Sequence, residues 1–398
     1  MTIRKLSPKA ALGLLLLCSL LGLLLIHHLC TTVSGSWVRQ DGLVYYHDRF
    51  GNPATGWQQI DGTLYYFDTD GVMATGWQTL NGSPYYFGAD GAMVTGWQTI
   101  GGKQYYFSPG GTAVSGWQGI DGKRCYFLED HALATGLVDA GEKRYLFLEN
   151  GTFASGWTDY QGQRYYVNED GSLYTGWMRD GQYSRYFLPD GAMAQGETII
   201  DGQRYYFSPT GIHITLVNPW HYLPEDYTVD LMDVNEDYRV DAACYDALTN
   251  MLAGCEAAGL NPMICSAYRS QADQEWLYDR KVKFYLEEGL SEKDARKQAG
   301  RSVAIPGTSE HQLGLAVDIV STDYYVLDDS QATTKTQQWL MEHCWDYGFI
   351  LRYPVDKSHI TGIIYEPWHY RYVGVEVAQD IRASGLCLEE YLNAVSYG

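Results

Sequence analysis

The residues best placed to do chemistry are His311, Asp318, Glu366 and His369. Asp318 interrupts the apolar run from Leu315 to Val320. A charged carboxylate inside a buried strand is costly without a strong partner, and a divalent metal is such a partner. His311, just upstream, brings the nitrogen ligand that zinc prefers. Taken alone the pair also suits a satisfied structural contact, but a second cluster, Glu366-Pro367-Trp368-His369-Tyr370, adds a third ligand and a base. Pro367 disfavours a helix through Glu366, which sets this cluster apart from the helical motif with two histidines one turn apart. Ideal pleating would put Glu366 and His369 on opposite faces, so a bend or bulge near Pro367 is expected. His311, Asp318 and His369 then form a three-ligand site with a fourth position open, the pattern of a catalytic zinc centre.

The elements that must position these groups follow from capping and periodicity. Asp241 is suited to cap a helix reaching about Ala258 and stopped by Gly259, with Leu248, Met251, Leu252 and Cys255 on its apolar side. Met263 to Tyr268 reads as a buried strand. Charge-rich helices from Ala272 to Gly289 and from a Ser291 cap read as a solvated excursion, and another helix, Thr334 to Tyr347, ends at Gly348.

The 398 residues exceed one compact domain, and 28 Lys plus Arg against 48 Asp plus Glu give a net charge of −20. Such a balance argues against a nucleic-acid partner. Arg4, Lys5 and Lys9 precede an apolar stretch from Ala10 to Ile26, the layout of an export signal that is either cleaved, for example after Gly35, or kept as a membrane anchor. Residues 1–35 are assigned to it, and the location is extracellular, on the wall or anchored at the membrane. Of eight cysteines, six lie beyond this segment at Cys125, Cys244, Cys255, Cys265, Cys344 and Cys387. They lack metal-ligand spacing and read as small buried residues, with one bridge expected in the C-terminal half.

From residue 36 to 215 the chain repeats with a step of 20: tryptophan at 37, 57, 77, 97, 117, 157 and 177, with Leu137 and Glu197 breaking the series. Aromatic pairs such as Tyr65-Tyr66 and Gly-containing turns such as Asp61-Gly62 keep the same beat, so each unit reads as a β-hairpin. One hairpin cannot bury its aromatics alone, and successive hairpins must stack into a solenoid. The stretch Gly56-Trp57-Gln58-Gln59-Ile60-Asp61-Gly62 with Tyr65-Tyr66-Phe67 resembles the choline-binding and glucan-binding repeats of Gram-positive surface proteins. The resemblance implies aromatic cages between consecutive hairpins, with Trp37, Trp57, Tyr65, Trp77, Tyr85, Trp97, Tyr105 and Trp117 as ligand-binding residues. A quaternary ammonium or an apolar sugar face suits such aromatics. Choline on teichoic acid is the first expectation and a wall glycan the second, with core filling as the plain alternative for any one cage.

Residues 216–398 resemble the VanY-type D-alanyl-D-alanine carboxypeptidases. The resemblance rests on Ser266-Ala267-Tyr268-Arg269-Ser270 with Gln274, on Ser309 to Asp318, on Tyr347 to Pro354, and on Glu366 to Gly374. It implies Zn²⁺ on His311, Asp318 and His369, Glu366 as general base and acid, Arg269 as oxyanion or substrate partner, and Tyr268, Gln274 and Ser309 at the substrate. The fold expected is therefore multidomain: a β-hairpin solenoid of 20-residue repeats followed by an α+β zinc peptidase domain. The function expected is removal of the terminal D-alanine from peptidoglycan stem peptides. L,D-carboxypeptidase action on tetrapeptides, or a catalytically idle wall-binding protein, are the alternatives.

Overall fold

The structure, a computed structural model, describes residues 31–32, 34–180, 183–224 and 227–393. The expected export segment lies almost wholly outside the described residues, as do Cys18 and Cys30. Among the described residues no helix is long and apolar enough to cross a membrane.

Nine antiparallel hairpins occupy the repeats among the described residues, the first pairing Gly35–Gln40 with Leu43–Asp48 and the last Gly196–Ile200 with Gln203–Phe207. The second shows the common register: Trp57 opposes Tyr66, and Ile60 opposes Thr63 across Asp61-Gly62. Both turn residues have positive φ (49° and 83°), the two-residue turn whose twist matches the strands. Phe67, Phe87, Phe107, Phe187 and Phe207 fill the interior, while most of the tryptophans stay substantially exposed. Backbone hydrogen bonds join one unit to a later one, as from Met73 N to Val44 O and Met93 N to Leu64 O, both 2.8 Å. The glycine beat has a packing cause here: a Cβ on Gly91 would lie 2.2 Å from the Met73 sulfur.

Packing divides the chain into two compact units, one up to Tyr174 and one from Thr175. The division precedes the end of the 20-residue beat because the last hairpin contributes to the core that follows it. Tyr206, Ile212, Ile214 and Leu216 cluster with Ile350, Val373, Val377, Ile381 and Leu388. The Arg371 guanidinium also donates to the Thr215 carbonyl at 2.9 Å.

The α+β part of the second unit is built on a four-stranded antiparallel sheet. Its strands are β1 (Pro262–Ser266), β2 (Ala316–Ser321), β3 (Phe349–Leu351) and β4 (His369–Tyr372), in the order β1-β2-β4-β3. Helices α1 (Ala242–Ala257) and α4 (Lys335–His343) contribute Leu248, Met251, Cys255 and Leu340 to a core with Val317, Ile319, Phe349 and Tyr370. Asp241 caps α1 by accepting from Ala243 N at 2.8 Å, and Gly348 in the left-handed region closes the turn after α4. Helices α2 (Gln271–Glu287) and α3 (Glu292–Ala299) pack on each other through Tyr278, Val282, Ala295 and Ala299.

No disulfide joins the six described cysteines, which corrects the expected bridge. Cys244, Cys255 and Cys344 are fully buried among apolar side chains and serve as small core residues.

Candidate active site

Strand alternation separates the site from the core. Val317 opposes Tyr370 on the helix-covered face, so Asp318 and its partner His369 share the other face. A register shift in β1 between Ile264 and Ser266 brings Ser266 opposite Asp318 as well. His311 comes from the short turn Glu310–Leu313, and Gly314, with φ 72°, lets the chain leave that turn for β2. A side chain there would meet Val229 at 2.7 Å and the Asp241 backbone at 3.1 Å. The bend expected near Pro367 is a tight turn in which His369 N donates to Glu366 O at 3.1 Å.

The ligand-type atoms of His311, Asp318 and His369 all lie within 4.8 Å of one another, and all three residues are buried. His311 Nδ1 donates to the Ala267 carbonyl at 2.7 Å, which leaves Nε2 facing Asp318 Oδ2 at 3.2 Å. His369 Nδ1 lies 3.0 Å from Asp318 Oδ1 and 3.9 Å from Glu366 Oε2. Its Nε2 points instead at Glu310 Oε2, 3.5 Å away. His311 thus commits Nδ1 to a protein acceptor and turns Nε2 to Asp318, the arrangement that orients a histidine for metal binding, whereas His369 turns Nδ1 to Asp318 and leaves Nε2 facing Glu310 without a hydrogen bond among the described residues. Arg269 donates to Asp318 Oδ2 at 3.0 Å, and Ser266 Oγ and Gln274 Oε1 hold the guanidinium at 2.9 and 3.3 Å.

The electrostatics follow the same geometry. Burial and the nearby Arg269 hold the His311 imidazole down at about 4. Burial would lower His369 too, but its hydrogen bond to Asp318 and the carboxylates of Glu310 and Glu366 nearby raise it to about 9. Against burial, the two histidines keep Asp318 well below the usual carboxylate range. Burial pushes the Glu366 carboxyl up to about 8. Two imidazoles around a carboxylate, with Glu310 and Glu366 beside them, form a donor set that suits a divalent cation of zinc's preferences.

These residues line one cleft of about 810 Å³, together with Ser309, Tyr353 and Trp368. Gln274 does not reach it: fully buried, it holds Arg269 and donates to the Ala304 carbonyl at 2.7 Å. Tyr268 is also absent from the lining and lies near Arg239, 5.9 Å from its guanidinium carbon. Two residues that sequence reasoning passed over belong to the site. Tyr353 places its ring 4.8 Å from His369. Glu310 accepts from Arg352 at 2.7 Å and Arg371 at 2.9 Å while facing His369. Its signal was a second charge beside His311, in a segment read for Ser309, His311 and Asp318.

In the repeats, Trp37, Trp57 and Trp77 meet Tyr65, Tyr85 and Tyr105 of the following unit edge to face, with ring centroids 5.0–5.1 Å apart. Cys125 stands in the corresponding place for Trp97, which instead meets Tyr106 and Phe127. Trp117 meets Tyr145 at 4.9 Å, but the Arg124 guanidinium already lies 3.8 Å over its ring.

Residues 237–375 match the family model described as D-alanyl-D-alanine carboxypeptidase, VanY. They form a VanY-type domain. Residues 54–95, 74–110, 94–131 and 174–215 match the choline-binding repeat model. A D-alanyl-D-alanine carboxypeptidase of Enterococcus faecalis is 42% identical over 180 residues, which cover 45% of this chain and 65% of that protein, just under two thirds of its length. A solved structure of a mutant vancomycin-resistance D,D-pentapeptidase VanY, in complex with Zn(II), is 42% identical over 45% of this chain and 97% of its own, with a TM-score of 0.42. Choline binding protein F of Streptococcus pneumoniae is 34% identical over 41% of this chain and 58% of its own, with a TM-score of 0.35. The VanY-type domain therefore contains the whole buried cluster from Arg269 to His369, and choline-binding repeats precede it.

Proposed function

We propose that this chain is a zinc-dependent D,D-carboxypeptidase that removes the C-terminal D-alanine from peptidoglycan stem peptides and is held on the cell wall by its repeats. The observation that carries this reading is the convergence of His311, Asp318 and His369 within 4.8 Å, in a cleft where the Glu366 carboxyl stands next to them. His311 Nε2, the Asp318 carboxylate and His369 Nδ1 are the atoms that would hold the ion. A zinc ion bound there supplies a Lewis acid for the scissile carbonyl and lowers the pKa of the attacking water.

The remaining chemistry belongs to the chain's own groups. Glu366, whose proton affinity burial has raised, takes a proton from the attacking water and returns it to the leaving amine of D-alanine. The water oxygen becomes part of the new carboxylate as the C–N bond breaks. Arg269, fixed by Ser266 and Gln274, offers positive charge to the oxyanion that develops on the scissile carbonyl or to the standing carboxylate at the substrate terminus. The Glu310 carboxylate and the Tyr353 ring flank the His369 imidazole on its other sides.

For the repeats we infer choline on wall teichoic acid as the ligand, supported by the match to choline-binding repeats and by the exposed Trp37 ring, 5.0 Å from Tyr65. A trimethylammonium group gains from aromatic faces in such a place.

Mass spectrometry of pentapeptide and tetrapeptide muropeptides incubated with the full chain tests the activity. Chelator-sensitive loss of one alanine from the pentapeptide alone is the expected result, abolished in Glu366→Gln. Trimming of the tetrapeptide would move the reading to an L,D-carboxypeptidase. Inertness of folded, zinc-loaded protein toward both would leave a wall-binding protein.

A further inference from the structure

The cleft that holds the metal-type cluster does not end there: it runs along α2, where Leu277, Arg280, Lys281 and Phe284 line it. The spacing of these positions, i, i+3, i+4 and i+7, puts them on one face of the helix. Two cations side by side on a cleft wall stand out in a chain of net charge −20. Exposed basic residues on a helix are ordinarily a solvated face, but two observations separate this pair. Arg280 is stacked 4.5 Å over the Trp276 ring, and the Lys281 ammonium lies 5.4 Å from both Phe284 and Tyr285, so aromatic rings brace both side chains. Neither has a carboxylate within ion-pair distance among the described residues, whereas Lys283, which also borders the cleft, has Glu287 at 3.9 Å.

The geometry points to an anion subsite at Arg280 and Lys281 that receives a free carboxylate of the stem peptide upstream of the scissile bond. This inference rests on the reading of the chain as a stem-peptide carboxypeptidase. Arg269 precedes the helix, which starts at Gln271. At 1.5 Å per residue the two cations stand about 15 Å along its axis, the reach of about four extended peptide residues. A stem peptide carries such a carboxylate in that interval, either the α-carboxylate of a γ-linked D-glutamyl residue or the side-chain carboxylate of a diamino diacid at the third position. Both present the same chemistry to a guanidinium and an ammonium.

Calorimetric binding to the zinc-loaded full-length Glu366→Gln protein, which holds peptides without turning them over, tests the subsite. The ligands are pentapeptides ending in D-Ala-D-Ala with the glutamyl carboxylate free or amidated, each with lysine, diaminopimelate or amidated diaminopimelate at position three. Amidation of the recognised carboxylate should weaken binding about 10-fold, and in the Arg280→Gln/Lys281→Gln variant the free and amidated peptides should bind alike. Which amidation matters identifies the carboxylate. Equal binding of free and amidated peptides by the parent protein, or a preference that survives in the double variant, would overturn the inference. Turnover of N-acyl-D-Ala-D-Ala by the wild-type chain, measured in parallel, reports on the activity itself and keeps the two failures apart.

Discussion

Asp318 and His369 face each other across β2 and β4, with Oδ1 3.0 Å from Nδ1, and His369 then turns Nε2 toward Glu310. The pairing register alone fixes the first contact, and the buried ion pairs of Glu310 set up the second. Glu310 sits between the fully buried Arg352 and Arg371, and Arg352 continues to Glu389 at 2.6 Å. The two guanidinium groups outweigh burial and keep the Glu310 carboxyl ionised, well below the usual carboxylate range.

Replacing Glu310 by Gln should therefore act in two places. Loss of a carboxylate that orients a metal-binding histidine weakens metal affinity about 10- to 100-fold. Leaving Arg352 and Arg371 short of a partner costs about 3–5 kcal/mol of stability. Zinc titration and thermal unfolding of the same variant separate the effects. A variant that is less stable yet binds zinc as tightly as wild type would confine Glu310 to the ion-pair network.

The core shared by the last hairpin gives a second expectation. Ile214 is buried against the cluster of Ile350, Val373 and Ile381, so Ile214→Ala should cost about 2–5 kcal/mol. A fragment of residues 216–398 lacks Tyr206, Ile212, Ile214 and the Thr215 carbonyl, and it should unfold at a lower temperature than residues 175–398. Equal unfolding temperatures would mean that the VanY-type domain does not depend on this packing.

What the sequence disclosed, and what it hid, follows from the range of each interaction. Hairpins were legible because turn glycines and aromatic pairs recur within 20 residues, and α1 because Asp241 and Gly259 mark its ends locally. Asp318 stood out as a charge in an apolar run. The Glu310, Arg352, Arg371 and Glu389 network joins residues far apart in sequence, and no local period reports it. Ile212 and Ile214 read as the tail of a repeat because their partners from Ile350 onward lie more than 130 residues later. Gln274 and Tyr268 share a segment with Arg269, yet Gln274 on α2 is buried behind Arg269, and Tyr268, in the loop past the end of β1, does not line the cleft.

The aromatic sites should not be equivalent. Arg124 already lies over the Trp117 ring, at 3.8 Å, where it would compete with a quaternary ammonium for the aromatic face. An exposed cation–π contact is worth about 0.5–1 kcal/mol, so Arg124→Ala should raise choline affinity at that position about 2- to 5-fold. Trp57→Ala, which removes the partner of Tyr85, should delete a site. Equilibrium dialysis with labelled choline measures both. Unchanged stoichiometry in Trp57→Ala would assign that ring to packing alone.

His213 supplies a pH dependence that the cleft does not enter. Its ring lies 5.5 Å from Trp177 and Tyr205 and 5.7 Å from Phe207, and burial lowers its pKa to about 4. The unfolded chain titrates the same imidazole near 6.5. Above about pH 6.5 the ring is neutral in both states and contributes no pH dependence. As the pH falls from there toward 4, the unfolded state binds a proton that the folded state refuses, and stability declines. At pH 5 the penalty is about 1–2 kcal/mol, or about 2–6 °C in the unfolding temperature of a unit this size. His213→Phe keeps an aromatic ring in the cluster and removes the titration. Its unfolding temperature relative to wild type should therefore rise between pH 7.5 and pH 5. Curves that shift in parallel over that range would show that the ring accepts its proton in the folded state.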